Sequence, residues 1–205
     1  MKRIRIAGIC GSLTANSHTK QALGISLEEA KNAGAETSLI DLRNYQIPML
    51  NSPFEYPKSK QHLSELVKIL KKADGIIVAT PEYHGSFSGA LKNLLDWMGF
   101  DEFEGKMIGL IGVAGGSMGA INALNHMGVV FRQLHAWVVP QQVSIANSKD
   151  VFDKNGNLKD PQIQKRLKQL GVEVARFALL HDFKRWKDFV KMWEKSVQNP
   201  GGEDR

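Results

Sequence analysis

Cysteine is scarce in this chain of 205 residues, and long hydrophobic runs are absent. The single cysteine, Cys10, excludes an internal disulfide bond and any metal cluster built on thiolates. No stretch approaches the roughly 18 consecutive apolar residues that a membrane-spanning helix requires. The charged start, Lys2 and Arg3, leads directly into a short apolar strand rather than into a cleavable signal sequence. Together these features predict a cytoplasmic location.

The signatures of several common ligands are missing as well. Neither the dinucleotide fingerprint G-x-G-x-x-G nor the ATP-binding pattern G-x-x-x-x-G-K-[ST] occurs in the chain. A mononucleotide with one terminal phosphate is therefore favoured over a dinucleotide held by its pyrophosphate and over ATP with magnesium. The six histidines form no H-x-H or H-x-x-x-H pair, so we predict no metal site.

Basic residues outnumber acidic ones, 27 to 21, which gives a net charge of +6. Most of them are interleaved with acids on helical stretches, and no nucleic-acid-binding motif is present. We therefore expect solvated helix faces and no nucleic-acid partner. The positive charge favours small anionic substrates and argues against an electron carrier that docks through an acidic face.

Short apolar runs alternate with amphipathic segments, a pattern typical of a parallel α/β sheet covered by helices on both faces. The length and the 42% hydrophobic content suit one such domain, over residues 1–182. The patterns predict five strands, at residues 3–10, 37–42, 75–80, 107–113 and 137–140. They predict helices at residues 17–32, 58–72, 88–98, 118–134 and 161–180. A ligand of such a sheet is expected at the carboxyl ends of the strands, where the strand order reverses.

Three loops follow the first, third and fourth predicted strands and so meet at that edge. The first presents hydroxyls beside the free N–H groups of a helix start, where the helix dipole favours an anion. Its candidate residues are Gly11, Ser12, Leu13, Ser17, His18 and Thr19. The second combines a proline, an aromatic and small residues, which suits a flat ring above that anion. Its candidate residues are Pro81, Glu82, Tyr83, His84, Gly85 and Ser86. The third would approach the ring edge by backbone contact through Gly115, Gly116 and Ser117.

These loops resemble those of the NADPH-dependent FMN reductase family of flavodoxin-like proteins, which includes quinone, azo and chromate reductases. The resemblance extends over roughly residues 3 to 180. It implies a five-stranded parallel sheet in the order 2-1-3-4-5, bound FMN, and NADPH or NADH as co-substrate. It also implies a homodimer whose partner closes the pocket. The family's first loop often carries Arg or Lys between its serines, whereas this chain has Thr14, Ala15 and Asn16.

The predicted function is hydride transfer from NADPH to FMN and then to a quinone-like or other small acceptor. Since both substrates would use the same ring face, the kinetics would be ping-pong, and no side chain is predicted to be catalytic. A serine hydrolase is the main alternative, because residues 115–119 read G-x-S-x-G after a strand and before a helix. In that case Ser117 would be the nucleophile, with Asp153 or Asp160 and His181. A non-catalytic flavodoxin-like electron carrier is the other alternative.

Assembly is predicted from two wide apolar helix surfaces, at residues 88–98 and 118–134. The first carries Leu91, Leu94, Leu95, Trp97 and Met98, which is more apolar surface than one sheet face covers. We expect a homodimer, or a homotetramer if an amphipathic C-terminal helix at residues 183–198 adds a second contact. Residues 199–205 are predicted to be a disordered tail.

Overall fold

Uninterrupted apolar runs form the centre of a parallel sheet, and amphipathic segments cover its two faces. The computed structural model describes residues 3–53, 57–181 and 191. Along these residues the elements are β1 (Arg5–Cys10), α1 (His18–Asn32), β2 (Glu36–Asp41), α2 (Ser59–Lys72), β3 (Gly75–Tyr83), β4 (Ser86–Phe87), α3 (Gly89–Asp96), α4 (Phe100–Phe103), β5 (Met107–Val113), α5 (Ile121–Gln133), β6 (Trp137–Ile145), α6 (Ser148–Val151) and α7 (Pro161–Leu180).

The strand order is β2-β1-β3-β5-β6, with every pair along this path parallel. This is the predicted flavodoxin-like order of five strands, which is confirmed. The two residues of β4 add a sixth strand that pairs only with the end of β3, in antiparallel fashion. All seven residues of β5 are buried, as a central strand covered on both faces requires.

Two layers of helices enclose the sheet. Helices α1 and α7 pack together on one face, and α2, α3 and α5 cover the other. Gly171 lets α1 and α7 approach closely, because a Cβ at this position would collide with the carbonyl oxygen of Ser26. The Ser26 hydroxyl in turn donates a hydrogen bond to the Leu167 carbonyl at 2.7 Å. This contact fixes α1, whose first turn follows the loop after β1.

Several predicted boundaries are wrong at strand ends. β3 continues three residues beyond the predicted end at Thr80, because residues 82 and 83 pair with β4. β6 continues past Pro140 to Ile145, since it is an edge strand and tolerates a residue without an N–H. The pairing of β5 with β6 shifts register here, because Val139, Pro140 and Gln141 of β6 lie opposite a single residue of β5. Helix α5 begins at Ile121 rather than at residue 118.

The apolar residues of α3 do not form the exposed apolar surface that was predicted to need a partner subunit. Leu91, Leu94, Leu95 and Met98 are all buried within their own chain, so the expectation that they need a partner is wrong. On the loop before α5 and on α5 itself, by contrast, Met118, Ile121 and Val129 are exposed to 88%, 53% and 61%. The assembly prediction therefore depends on α5.

The predicted C-terminal helix at residues 183–198 and the tail at 199–205 lie outside the described residues, apart from residue 191. None of the helices within the described ranges combines the length and the apolar character needed to cross a bilayer.

Candidate active site

The loop between β1 and α1 ends in a capped helix start. Ser17 is the N-cap, and its hydroxyl oxygen accepts a hydrogen bond from the N–H of Lys20 at 3.3 Å. Asn16 precedes it with a φ of 53°, a left-handed conformation that asparagine tolerates better than most residues. Earlier in the loop, the Ser12 hydroxyl accepts a hydrogen bond from the N–H of Thr14 at 3.3 Å.

This loop leaves several donors available to an anion. Ser12 and Ser17 accept in the contacts above, so their hydroxyl protons are free to donate. Thr19 is buried, and its hydroxyl has no hydrogen-bond partner among the described residues. The N–H groups of His18 and Thr19 lie in the first turn of α1 and have no partner within the helix. Such a set of donors at a helix N-terminus suits a phosphate.

Gly11 joins this loop to the next one. Its N–H donates to the Ala79 carbonyl at 2.8 Å, and its carbonyl accepts from the Ser88 hydroxyl at 2.6 Å. A Cβ at Gly11 would lie 3.1 Å from both Leu91 Cβ and Ser88 Oγ, so the packing leaves little room for a side chain here. Ser88 is also the N-cap of α3, accepting from the N–H of Leu91 at 3.2 Å.

The second loop is a tight hairpin between β3 and β4. His84 and Gly85 occupy its two central positions with φ values of 51° and 77°, as a type I′ turn requires. Glu82, just before the turn, accepts a hydrogen bond from the N–H of Ala123 in the first turn of α5 at 2.9 Å. Ser86, just after it, hydrogen-bonds the ring of His126 at 3.0 Å. The hairpin is thus fixed against α5.

The third loop, after β5, is exposed at Gly115, Gly116 and Ser117. A Cβ placed on either glycine would meet nothing within 4 Å, and neither has a positive φ. The protein itself therefore does not require glycine at these two positions. Gly119 differs, because its φ is 70° and its Cβ would lie 2.6 Å from the Ser144 hydroxyl oxygen.

A cleft of about 340 Å³ connects parts of all three loops at the carboxyl edge of the sheet. Of the predicted site residues, eight line it: Ser12, Ser17, His18, Thr19, Pro81, Glu82, Tyr83 and Gly115. Seven do not: Gly11, Leu13, His84, Gly85, Ser86, Gly116 and Ser117. The sequence analysis missed five lining residues: Thr14, Asn16, Val113, Ser148 and Lys149.

Burial and charge set the electrostatics around this cleft. The His18 ring stacks on Phe152 with centroids 4.4 Å apart, and burial lowers the pKa of His18 below its ordinary value of 6.5. Asp41 is buried behind the loop. Burial alone would raise its pKa, but the hydrogen bonds and charges of Lys20 and Arg43 outweigh this effect and lower it. Burial raises the pKa of Cys10, so this thiol is not a reactive nucleophile.

The geometry disfavours the serine hydrolase. His181 contacts Trp137 at a ring separation of 6.0 Å, and Trp137 pairs with Met107 at the start of β5. Ser117 follows the end of β5, about 20 Å away at 3.3 Å per strand residue. Asp160 caps the far end of α7 from His181, which is about 30 Å along a 20-residue helix.

Asp153, the other candidate acid, already accepts hydrogen bonds from the N–H groups of Asn155 and Asn157, both at 2.8 Å. No serine, acid and base of the predicted triad therefore come together. Among residues 3–53 and 57–181, no three His, Cys, Asp or Glu side chains gather in a way that could hold a metal ion.

A doubly wound sheet with a hydroxyl-lined helix start after β1, and a proline-containing hairpin beside it, defines a flavodoxin-like mononucleotide-binding protein. The comparisons with known proteins are more specific. The sequence profile described as NADPH-dependent FMN reductase matches residues 4–150, and the chain belongs to this family. The FMN-dependent NADPH-azoreductase of Staphylococcus aureus is 33% identical over 174 residues, which cover 82% of this chain and 92% of that protein.

Solved structures agree on the fold. An oxidoreductase from Corynebacterium diphtheriae matches with a TM-score of 0.68 at 23% identity, over 86% of this chain and 97% of its own. The NAD(P)H:(acceptor) oxidoreductase FerB from Paracoccus denitrificans also gives 0.68, at 19% identity, over 87% and 98%. An archaeal flavodoxin gives 0.58 at 13% identity, over 85% and 97%. Membership of the family confirms the predicted enzyme class, with FMN as cofactor and NADPH as co-substrate.

Proposed function

We propose that this protein oxidises NADPH and reduces a small planar acceptor, such as a quinone or an azo compound, by a ping-pong mechanism in one cleft. The observation that carries the proposal is the continuity of the cleft. It runs from the hydroxyls and free amides at the start of α1 to the hairpin at Pro81 and Tyr83. We include azo compounds among the acceptors because the Staphylococcus aureus relative is an azoreductase.

The donors after β1 fit a phosphate monoester, and we assign Ser12, Ser17 and Thr19 to the phosphate of FMN. Their three hydroxyls can donate, and the first-turn amides of α1 add the favourable end of the helix dipole. Two other predicted residues of this loop do not line the cleft. Gly11 packs closely against α3, and Leu13 is 57% exposed and lies off the cleft.

We assign the ring of FMN to the space between the hairpin and the third loop. Pro81 is buried at the bottom of this space, and the Glu82 carboxylate is fixed by the N–H of Ala123. Gly115 and Gly116 leave open space where side chains would project. Tyr83 is 54% exposed at the rim, where an incoming aromatic substrate would contact it.

When bound, FMN supplies hydride acceptance at N5 and the return of electrons to a second substrate. The protein contributes the position of the ring and its exposure on one face. Because the hairpin occupies one side of the ring space, nicotinamide and acceptor would have to use the same remaining side in turn. That geometry is the reason to expect ping-pong kinetics and a broad choice of acceptors.

Two measurements on the FMN-bound protein test the proposal. Anaerobic addition of NADPH, with no acceptor present, should bleach the flavin absorbance. Steady-state rates at several quinone or azo dye concentrations should then give parallel lines in double-reciprocal plots. Intersecting lines would refute the shared ring face, and failure of NADPH to bleach the flavin would refute the reductase and favour an electron carrier.

We further propose a homodimer formed through α5. The exposed apolar residues Ile121 and Val129 lie about two turns apart on this helix, and the exposed Met118 lies in the loop just before it. Light scattering after size exclusion should give at least twice the mass of one chain, and Val129→Glu should shift the protein toward the monomer. A fully active monomer would refute this assembly.

We also propose a cytoplasmic location, supported by the single cysteine and the use of NADPH.

A further inference from the structure

The phosphate loop of this chain has no cation of its own. Residues 11–19 contain neither lysine nor arginine. Its one titratable group, His18, has a pKa lowered by burial and is therefore neutral near neutral pH. A phosphate monoester carries close to two negative charges at that pH, and amides and hydroxyls bind it without neutralising it. A positive charge from elsewhere in the fold would therefore add to the helix dipole in balancing the phosphate.

Lys20 and Arg43, two basic residues beside the loop, are already paired with an acid. The Lys20 ammonium group lies 2.9 Å from an Asp41 carboxylate oxygen, and the Arg43 guanidinium lies 3.3 Å from the same oxygen. Asp41 is buried, and both side chains turn toward it from the end of β2 and the start of α1. Neither residue lines the cleft.

Lys149 is the only lysine or arginine among the described residues that line the cleft. It is exposed and forms no ion pair with the described residues. Its acidic neighbour in the chain, Asp150, is also exposed, while Asp153 is held by its own turn. The carboxylate that does line the cleft, Glu82, is on β3 and is bound to α5.

The position of Lys149 is fixed by contacts with both neighbouring loops. On the side of the third loop, the N–H groups of Asn147 and Ser148 donate to the carbonyls of Gly116 and Ala114 at 3.1 and 3.0 Å. On the other side, Phe152 stacks on His18, the first residue of α1. Lys149 lies in α6, between the residues held by the third loop and Phe152, which follows the end of α6.

We propose that Lys149 is the cationic partner of the terminal phosphate of bound FMN, replacing the basic residue that the first loop lacks. This inference rests on the proposed assignment of the FMN phosphate to the start of α1. The ligand chemistry is that of a phosphate monoester, which NADPH also offers through its 2′-phosphate. We commit to the FMN phosphate, because Phe152 ties the turn of Lys149 to His18 at the helix start that presents the phosphate donors.

The test compares Lys149→Ala with Lys154→Ala, which removes the same charge from an exposed lysine of the same connection that does not line the cleft. FMN release from the diluted holoprotein is followed by flavin fluorescence at low and high salt. Lys149→Ala should raise the Kd for FMN about tenfold at low salt, an effect of the size expected for one charge-assisted hydrogen bond, and flatten its salt dependence. Lys149→Arg should restore most of the affinity, and Lys154→Ala should resemble the parent.

Two further measurements complete the test, one with riboflavin and one that compares NADPH with NADH. Riboflavin affinity should be equal in the parent and Lys149→Ala, since riboflavin has no phosphate, and the ratio of kcat/KM for NADPH over NADH should not change. An unchanged Kd for FMN, or an equal loss with riboflavin, would overturn the inference. A fall in the NADPH to NADH ratio with unchanged FMN affinity would also overturn it, by assigning Lys149 to the 2′-phosphate. Failure of the parent protein to bind any flavin would instead refute the proposed function.

Discussion

Removal of one buried hydroxyl should uncouple the two loops that form most of the cleft. Ser88 donates to the Gly11 carbonyl at 2.6 Å and accepts from the N–H of Leu91 at 3.2 Å, and it is almost fully buried. Ser88→Ala deletes both contacts at once. The variant therefore removes the N-cap of α3 and the side-chain bond between the loop after β1 and the residue that follows the hairpin.

The size of the effect follows from the two contacts. Loss of a serine N-cap costs about 1 kcal/mol of unfolding free energy. A buried carbonyl that loses its donor costs about 1–3 kcal/mol more, since no water replaces the missing partner. We therefore expect Ser88→Ala to lower the free energy of unfolding by about 2–4 kcal/mol, and to speed FMN release because Gly11 adjoins Ser12.

Ser59→Ala is a matched control. Ser59 is also a buried serine at a helix start, but its hydroxyl has no hydrogen-bond partner, so its removal should be neutral or slightly stabilising. Urea denaturation followed by far-UV circular dichroism, at one fixed FMN concentration, measures both variants. Equal destabilisation by Ser88→Ala and Ser59→Ala would show that burial, and not the link to Gly11, determines the loss.

Four further variants test other parts of the site. Gly115→Ala should change the free energy of unfolding by no more than about 0.5 kcal/mol but should weaken FMN binding. Gly119→Ala should lower the free energy of unfolding by about 1–3 kcal/mol, because of the positive φ and the contact with Ser144. The opposite pattern in urea melts and FMN titrations would refute the roles assigned to the two glycines. His18 has a lowered pKa, so below its ordinary pKa of 6.5 the unfolded chain binds a proton that the folded chain resists. The free energy of unfolding should therefore fall between about pH 7 and pH 5, and His18→Asn should reduce that fall; identical pH profiles would contradict the assignment. Ser117→Ala should retain most NADPH oxidation with a quinone, and covalent labelling of Ser117 by a fluorophosphonate probe would instead support a hydrolase.

The sheet could be predicted because its signal is local. The seven residues of β5 are apolar without interruption, which is the pattern of a strand covered on both faces, and all seven are buried. The loops after β1, β3 and β5 could be located for the same reason, since each follows such a strand. The short helices α4 and α6 have only four residues each, too few for a periodic pattern to register.

The hairpin at His84 and Gly85 was located as a loop but not as a pair of strands. Its sequence does carry a signal, because glycine at the second central position suits a type I′ turn. The first central residue is a histidine with positive φ, however, and a histidine is a weak indication of that conformation. The extension of β3 through Pro81 obscured the signal further, since proline usually ends a strand.

Residues whose roles depend on contacts between distant segments could not be assigned from the sequence. Gly11 was predicted to bind the cofactor, and nothing in the sequence indicates that it also packs closely against Leu91 and Ser88. Lys149 was not predicted at all, because the connection that carries it shows no motif. It reaches the cleft because Ser148 hydrogen-bonds Ala114 and Phe152 stacks on His18, contacts that no local pattern encodes. A local motif can thus suggest a phosphate site by its hydroxyls and amides, whereas the charge proposed for Lys149 depends on contacts that the connection after β6 makes with Ala114 and His18.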